Sequence, residues 1–284
     1  MIKINNEFMT NNFTIAILLS TYNSELYLKE LFLSIINQTY EQWILYIRDD
    51  GSSDGTIDII NKFLLKDKRV YFFDDTCRMG DAKKSFMYLL ENVDAKYYMF
   101  CDHDDIWLPC KIMKTIQAML SIEVKNKSVP IIIHSDLCVV DENLRTICTS
   151  FWKYSHISPK YKSYNFFCAY NNLTGCTMMI NQSAKNICLL MPDFAPMHDY
   201  WIGLVVSFYR GIIYYINEPL ILYRQHSNHV IGAQHISLFK KFFALRSIYY
   251  SNKRIYRTIC VLKKKNILAF VLNKLYFRLK ILIK

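Results

Sequence analysis

The sequence is poor in residues that break or loosen a chain. Seven glycines and six prolines among 284 residues exclude a collagen-like or low-complexity composition, and no internal period of roughly 20–50 residues marks a repeat array. No run of about 18 apolar residues is present, so no helix is expected to cross a membrane. The polar start, residues 1–12 with Glu7, does not read as a signal peptide. The nine cysteines are odd in number, scattered, and without a Cys-x-x-Cys pair. A zinc site or a disulfide framework is therefore not expected, and reduced thiols in a cytosolic protein fit better. Both Gly-x-x-x-x-Gly-Lys and Gly-x-Gly-x-x-Gly are missing, so no glycine cradle for a diphosphate is expected. Acidic residues are absent from 236–284, which hold 13 Lys and Arg. The other 235 residues hold 22 basic against 24 acidic side chains. The net charge of +11 thus belongs to the tail, and such asymmetry marks an interaction segment.

Apolar residues, in contrast, make up 52% of the chain and aromatics 15%, enough for one large domain or a domain plus an appendage. Continuous apolar runs at 14–20, 43–47, 70–73 and 96–100 read as buried strands. Helices are expected between them at 25–37, 57–63 and 83–90, with Leu28, Leu31, Phe32, Ile35 and Ile36 on one face of the first and Ser24 as its N-cap. This alternation implies an α/β fold with a mostly parallel, doubly wound sheet. Further on, a helix is expected at 111–120, strands at 131–135, 212–216 and 220–222, and a helix at 199–209. Residues 150–172 give no clear pattern, 174–180 read as a loop entering a strand, and 225–234 as a polar loop.

The most informative stretch is Cys101-Asp102-His103-Asp104-Asp105, where an apolar strand runs out into three carboxylates. Carboxylates this close repel one another. A cation balances them, and Mg2+ or Mn2+ is often shared between carboxylates and substrate phosphates. The plainer reading, an acidic turn capping a helix that starts near Ile106, explains one of the three. Loops 20–23, 49–53, 102–105 and 198–199 all follow or flank strands, and strand carboxyl ends in such sheets line one edge. Asp49-Asp50-Gly51-Ser52 alone could be a turn. Asp199 alone could be a favourable first-turn acid.

Taken in order and spacing, Ser20-Thr21-Tyr22-Asn23, Asp49-Asp50-Gly51-Ser52-Ser53-Asp54-Gly55-Thr56, Asp102-x-Asp104-Asp105-Ile106-Trp107-Leu108-Pro109-x-Lys111-Ile112, His198-Asp199-x-Trp201 and Leu222-Tyr223-Arg224-Gln225-His226 resemble the GT-A, family 2 inverting glycosyltransferases. The likeness covers about residues 13–233 and is greatest to bacterial rhamnosyltransferase-like members that build surface polysaccharide. It implies a GT-A catalytic domain over 1–235. It also implies that Ser20, Tyr22, Asn23, Asp49, Asp50, Asp102 and Arg224 bind the nucleotide donor. Asp104, Asp105 and His226 would hold Mg2+ or Mn2+, and Asp199 would be the catalytic base. His198 stands where the family has a second acid. The donor would be UDP- or dTDP-linked and the acceptor a glycan, often lipid-linked. A non-catalytic sugar-nucleotide-binding or scaffold protein on the same fold, and a nucleotidyltransferase, are the alternatives. The latter should carry a Gly-rich phosphate loop after the first strand, and Ser20-Thr21-Tyr22-Asn23 is not one.

In 236–284, apolar and aromatic positions recur near helical spacing with Lys and Arg between them. A basic amphipathic helical extension with aromatic anchors suits an anionic membrane surface, placing the protein in the cytoplasm at the inner face of the membrane. Packing of the apolar face on the catalytic body is the alternative. Nucleic acid is not an expected partner.

Overall fold

The computed structural model describes residues 13–75, 77–225 and 240–282, with the side chains of the last segment from 248 to 281. The chain begins with β1 (Ile15–Thr21), α1 (Leu28–Ile36), β2 (Trp43–Asp49), α2 (Thr56–Leu64), β3 (Val70–Phe73), α3 (Ala82–Asn92) and β4 (Tyr97–Cys101). The short β5 (Ile106–Trp107) and α4 (Lys111–Glu123) follow, then β6 (Ile131–Val140) and β7 (Thr146–Cys148). Next come α5 (Phe151–Tyr154), α6 (Tyr164–Phe167), β8 (Met179–Asn181), α7 (Gln182–Cys188), α8 (His198–Phe208) and β9 (Ile212–Arg224). The chain closes with α9 (Lys240–Leu262) and α10 (Ile267–Leu282).

Among the described residues the strands form one sheet in the order β3-β2-β1-β4-β8-β6-β9-β5, with β7 on β6. Strands β3, β2, β1 and β4 are mutually parallel, as are β6 and β9. The short pairings of β8, β5 and β7 are antiparallel. Alternate residues of β1 serve opposite faces. Ile15, Ile17 and Leu19 pack with Leu28, Leu31, Ile60 and Ile112 of α1, α2 and α4. Ala16 and Leu18 pack with Phe86, Ile202 and Leu204 of α3 and α8. Both faces are covered, as the continuous apolar strands require.

The differences from the sequence reading have local causes. Helix α1 starts at Leu28 rather than Glu25, because the Ser24 hydroxyl accepts the Tyr22 N–H instead of capping. After the acidic loop comes β5, not a helix. The two strands expected at 212–216 and 220–222 are one, β9. Its register slips where Pro219, which lacks an N–H, faces Asp136 of β6. Residues 150–172 contain the short helices α5 and α6, capped by the Ser150 and Ser163 hydroxyls.

The tail packs on the body. Ile259, Phe270 and Phe277 are buried in the same core as α6 and α8. Arg254 of α9 donates to the carbonyls of Phe194, Ala195 and Pro196 just ahead of α8. No helix among the described residues is long and apolar enough to cross a membrane.

Candidate active site

Parallel pairing of β2, β1 and β4 brings their carboxyl ends together, and the loop after each carries the polar residues singled out above. The Asp49 carboxylate organises the β2 loop. It accepts from the Thr21 and Ser52 hydroxyls (2.7 and 2.6 Å) and from the N–H groups of Gly51 and Ser52 (3.0 and 2.7 Å). Asp50 turns the other way, accepting from the N–H groups of Met79 and Gly80 and from Arg48. Arg48 belongs to β2 rather than to the loop, and it is wholly buried. It pairs with both oxygens of Asp75 (2.8 and 2.9 Å) and also donates to the Ser85 hydroxyl and the Cys77 carbonyl. Asn23 adopts φ +46°, which lets its N–H reach Ser52 and its side-chain oxygen accept from the Ser53 N–H. Ser20 is buried at the end of β1. Tyr22 is exposed, and the Arg78 guanidinium lies over its ring and donates to its hydroxyl (2.7 Å). Residues 20–23, 49–53 and 78 thus form one rim.

The second half of the site is made by β8, which enters antiparallel to β4 so that Met179 faces Met99. That register sets Gly175 and Cys176 beside the acidic loop. Ligand atoms of Asp102, Asp105 and Cys176 lie within 4.8 Å of one another. Burial, then the charges of Asp104 and Asp199, push the Asp102 carboxyl up to about 7, against the Cys176 thiol and Lys111, which favour its ionised form. Asp105 is fully buried, and one of its oxygens has no hydrogen-bond partner. Burial and the neighbouring Asp104 and Asp102 hold its carboxyl well above the usual range. A buried cation nearby is Lys111. Its ammonium donates to the Cys176 carbonyl (3.0 Å), lies 4.0 Å over the Trp107 ring and is lowered to about 8, chiefly by burial. Among the described residues, Lys111 and the Arg224 guanidinium, which donates to the Asp104 carbonyl, are the buried cations beside these three acidic residues. The carboxylate-rich donor set and the orphaned Asp105 oxygen suit a hard divalent cation such as Mg2+ or Mn2+.

Arg224, at the end of β9, sits beneath this loop and is buried. Its guanidinium donates to the carbonyls of Asp104 (3.0 Å) and Glu142 (2.6 Å), pairs with Glu30 and covers the Tyr27 ring. It clamps the acidic loop from the protein side. His226, expected as a metal ligand, lies outside the described residues.

Asp199 stands in the first turn of α8. Burial raises its carboxyl to about 6, opposed by hydrogen bonds from the N–H groups of Tyr200 and Gly175 and from the Asn171 side chain. Its neighbour His198 is inert. The ring lies between Phe86 and Phe100, at 4.5 and 5.0 Å between centroids, and burial lowers it to about 3, so it is neutral. A Cβ on Gly175 would come within 2.6 Å of its Nε2. Glycine is required at 175 by this close approach rather than by its backbone angles. Gly175 therefore lets the acidic loop and Asp199 share one wall, and Asp102 feels the charge of Asp199.

The sequence model described as Glycosyl transferase family 2 matches residues 16–187. The chain belongs to this family. Among curated proteins, it is 39% identical over 106 residues to an uncharacterised glycosyltransferase of Haemophilus influenzae, a match spanning 37% of this chain and 42% of that one. It is 28% identical to the dTDP-rhamnosyl transferase RfbG of Shigella flexneri, over 76% of this chain and 74% of RfbG. It is 29% identical to the UDP-Glc:alpha-D-GlcNAc-diphosphoundecaprenol beta-1,3-glucosyltransferase WfgD of Escherichia coli, over 39% of this chain and 42% of WfgD. Among solved structures, S. aureus TarS with UDP-GlcNAc superposes with a TM-score of 0.56 at 15% identity, covering 88% of this chain and 71% of that one. The mannosyltransferase PcManGT of Pyrobaculum calidifontis, bound to GDP-Man and Mn2+, gives a TM-score of 0.54 at 12% identity over 95% and 81%. The GT-A fold expected from the sequence is thereby borne out.

Four residues of this family 2 site had no assigned role in the sequence reading: Arg78, Lys111, Asn171 and Cys176. Lys111 lies inside a quoted motif, and Thr174-Gly175-Cys176 read equally as a pocket wall or a strand entrance. Arg78 and Asn171 gave no local signal.

Proposed function

We propose that the protein is a metal-dependent inverting glycosyltransferase of surface-polysaccharide synthesis, with a UDP- or dTDP-linked sugar as donor. The observation that carries this reading is the shared wall at Gly175-Cys176. It joins the carboxylates of Asp102 and Asp105, grouped with the Cys176 thiol, to Asp199, whose carboxyl is raised to about 6. A base of that strength is ionised near neutral pH and still able to accept a proton.

In the proposed reaction the acceptor hydroxyl attacks the anomeric carbon and its proton passes to Asp199. The bond from that carbon to the donor's phosphate oxygen breaks, and the nucleoside diphosphate departs. One displacement inverts the anomeric centre. A bound divalent cation supplies positive charge for the leaving diphosphate, so no protein acid is needed there. Asp104, Asp105 and Asp102 are the proposed holders of that ion, with His226 as a further ligand. Ser20, Tyr22 and Asn23 are assigned to the nucleoside, with Arg78 as the exposed cation of that rim and Asp49 and Asp50 shaping its loop. Arg224 acts through the acidic loop it clamps.

The acceptor is proposed to be a lipid-linked glycan, in keeping with the acceptor named for WfgD. The basic tail is proposed to hold the enzyme against the inner face of the cytoplasmic membrane. The test is a panel of UDP-, GDP- and dTDP-sugars, read as nucleotide release with Mg2+, with Mn2+ and with excess chelator. Release that survives chelation overturns the metal assignment. Near-normal release by Asp199→Asn overturns the assignment of the base.

A further inference from the structure

Helix α10 has two apolar faces, and packing on the body uses one. Phe270 and Phe277 point into the core. Ile267, Leu268, Val271, Leu272, Leu275 and Leu279 are 45–63% exposed. At about 100° per residue those six fall in one arc of the helix, away from Phe270 and Phe277. Tyr276 and Lys280 fall on the border between the two faces. At that border lies a cavity of about 540 Å³ lined by Lys160, Lys162 and Lys280, with Tyr161, Tyr276 and Asn273 among its other walls. No carboxylate is among its described lining residues. The Lys280 ammonium lies over the rings of Tyr161 and Tyr276, and that of Lys162 over Tyr214 and Tyr215. Two of the three cations thus lie over aromatic rings, and the third, Lys160, lines the same cavity.

One chain of contacts links this cavity to the base. Its Tyr161 wall is tied to the base. The Asn172 side chain donates to the carbonyls of Ser158 and Tyr161 (2.8 and 2.9 Å), and the adjacent Asn171 bonds Asp199. Lys160 and Tyr161 also line a second cavity of about 970 Å³, whose other walls include Trp152, Tyr215, Asp136 and Glu218. Aromatic faces with oxygen acceptors between them suit a saccharide.

We infer that the cavity of Lys160, Lys162 and Lys280 holds the diphosphate of a lipid-linked acceptor. Its hydrocarbon chain lies in the bilayer against the exposed face of α10, and its sugar enters the Trp152–Tyr215 cavity. The order along the surface is apolar, cationic, then aromatic and polar, which is the order of such a molecule. A tail with 13 basic and no acidic residues complements its charge. The inference rests on the reading of the acceptor given above and assigns it a place.

The test uses the full chain and sedimentation with phosphatidylcholine vesicles. One set is doped with a polyprenyl diphosphate, the other with phosphatidylglycerol to equal surface charge. The wild type is expected to bind the diphosphate vesicles about tenfold more tightly. Lys160→Gln, Lys162→Gln and Lys280→Gln together should abolish that preference. Leu268→Ser, Leu272→Ser and Leu275→Ser together should weaken binding to both vesicle types. All six positions are exposed, so unchanged thermal unfolding is the control. Equal binding of the wild type to the two sets, or a preference that survives the lysine changes, overturns the inference. Displacement by inorganic pyrophosphate at concentrations matching the lipid would assign the cavity to a free diphosphate and overturn it equally. Nucleotide release from the donor panel, measured on the same variants, reports separately on the glycosyltransferase reading. The lysine variant is expected to retain hydrolysis of the donor.

Discussion

Transfer should fall on the acid side with a midpoint at about pH 6, set by Asp199. The carboxyl rises from an ordinary 3.8 to about 6. That rise is roughly two units, or about 3 kcal/mol against the charged form. Burial is the cause, and three hydrogen bonds keep the rise from being larger. One of the three comes from the Asn171 side chain, which also bonds the Leu173 N–H and carbonyl. A hydrogen bond to a charged group contributes about 1.5–3 kcal/mol, so Asn171→Ala should move the limb to higher pH by about one to two units. The base must be ionised, so activity rises with pH through the midpoint. At about pH 5 the wild type should run at about a tenth of its plateau rate. Stability follows the opposite sign. A carboxyl raised on folding stabilises the native state in acid, and this contribution is lost as pH rises through 6. Acid inactivation on this account is therefore not unfolding, and far-UV circular dichroism at pH 5 should be native. The assay is the pH profile of kcat/KM for acceptor, with donor saturating. A wild-type limb below about pH 5, or an unshifted limb in Asn171→Ala, would refute the assignment.

Asp104→Asn removes one of three crowded carboxylates. It should cut turnover by about 100-fold or more, with weaker Mn2+ binding by isothermal titration and an unchanged fold. Gly175→Ala forces a Cβ against the His198 ring. It should cost about 1–3 kcal/mol and lower turnover, and a double change with His198→Ala should be less than additive in thermal unfolding. Phe277→Ala, in the core beneath α10, should cost about 3–5 kcal/mol by urea titration. A chain ending at 239 should aggregate rather than remain in solution.

The half of the fold that precedes the acidic loop was legible because its strands are uninterrupted apolar runs punctuated by polar turns. The ladders of β1, β2, β3 and β4 follow that pattern. The acidic loop and Asp199 were legible because carboxylates at strand and helix ends are chemically conspicuous. Less could be read where tertiary pairing decides. Nothing local says that Met179–Asn181 inserts between β4 and β6, and so nothing local brings Cys176 to Asp102. Asp49 and Asp50 read as ligand groups, yet their oxygens are engaged by loop N–H groups, Thr21 and Arg48. The full burial of Arg48 and Lys111 depends on partners many residues away. His198 stands where the family has a second acid, and only the packed rings of Phe86 and Phe100 reveal it as a neutral wedge.

The late arrival of β8 has a consequence for the chain as it is made. Until Asn181 emerges to pair with Tyr97, β4 is an open sheet edge of Tyr97, Tyr98, Met99 and Phe100. Such edges recruit other chains. The carboxylates of Asp102, Asp104 and Asp105 stand directly at its end, where like charges hold two nascent copies apart. The repulsion that calls for a cation in the finished enzyme thus guards the unfinished one against aggregation.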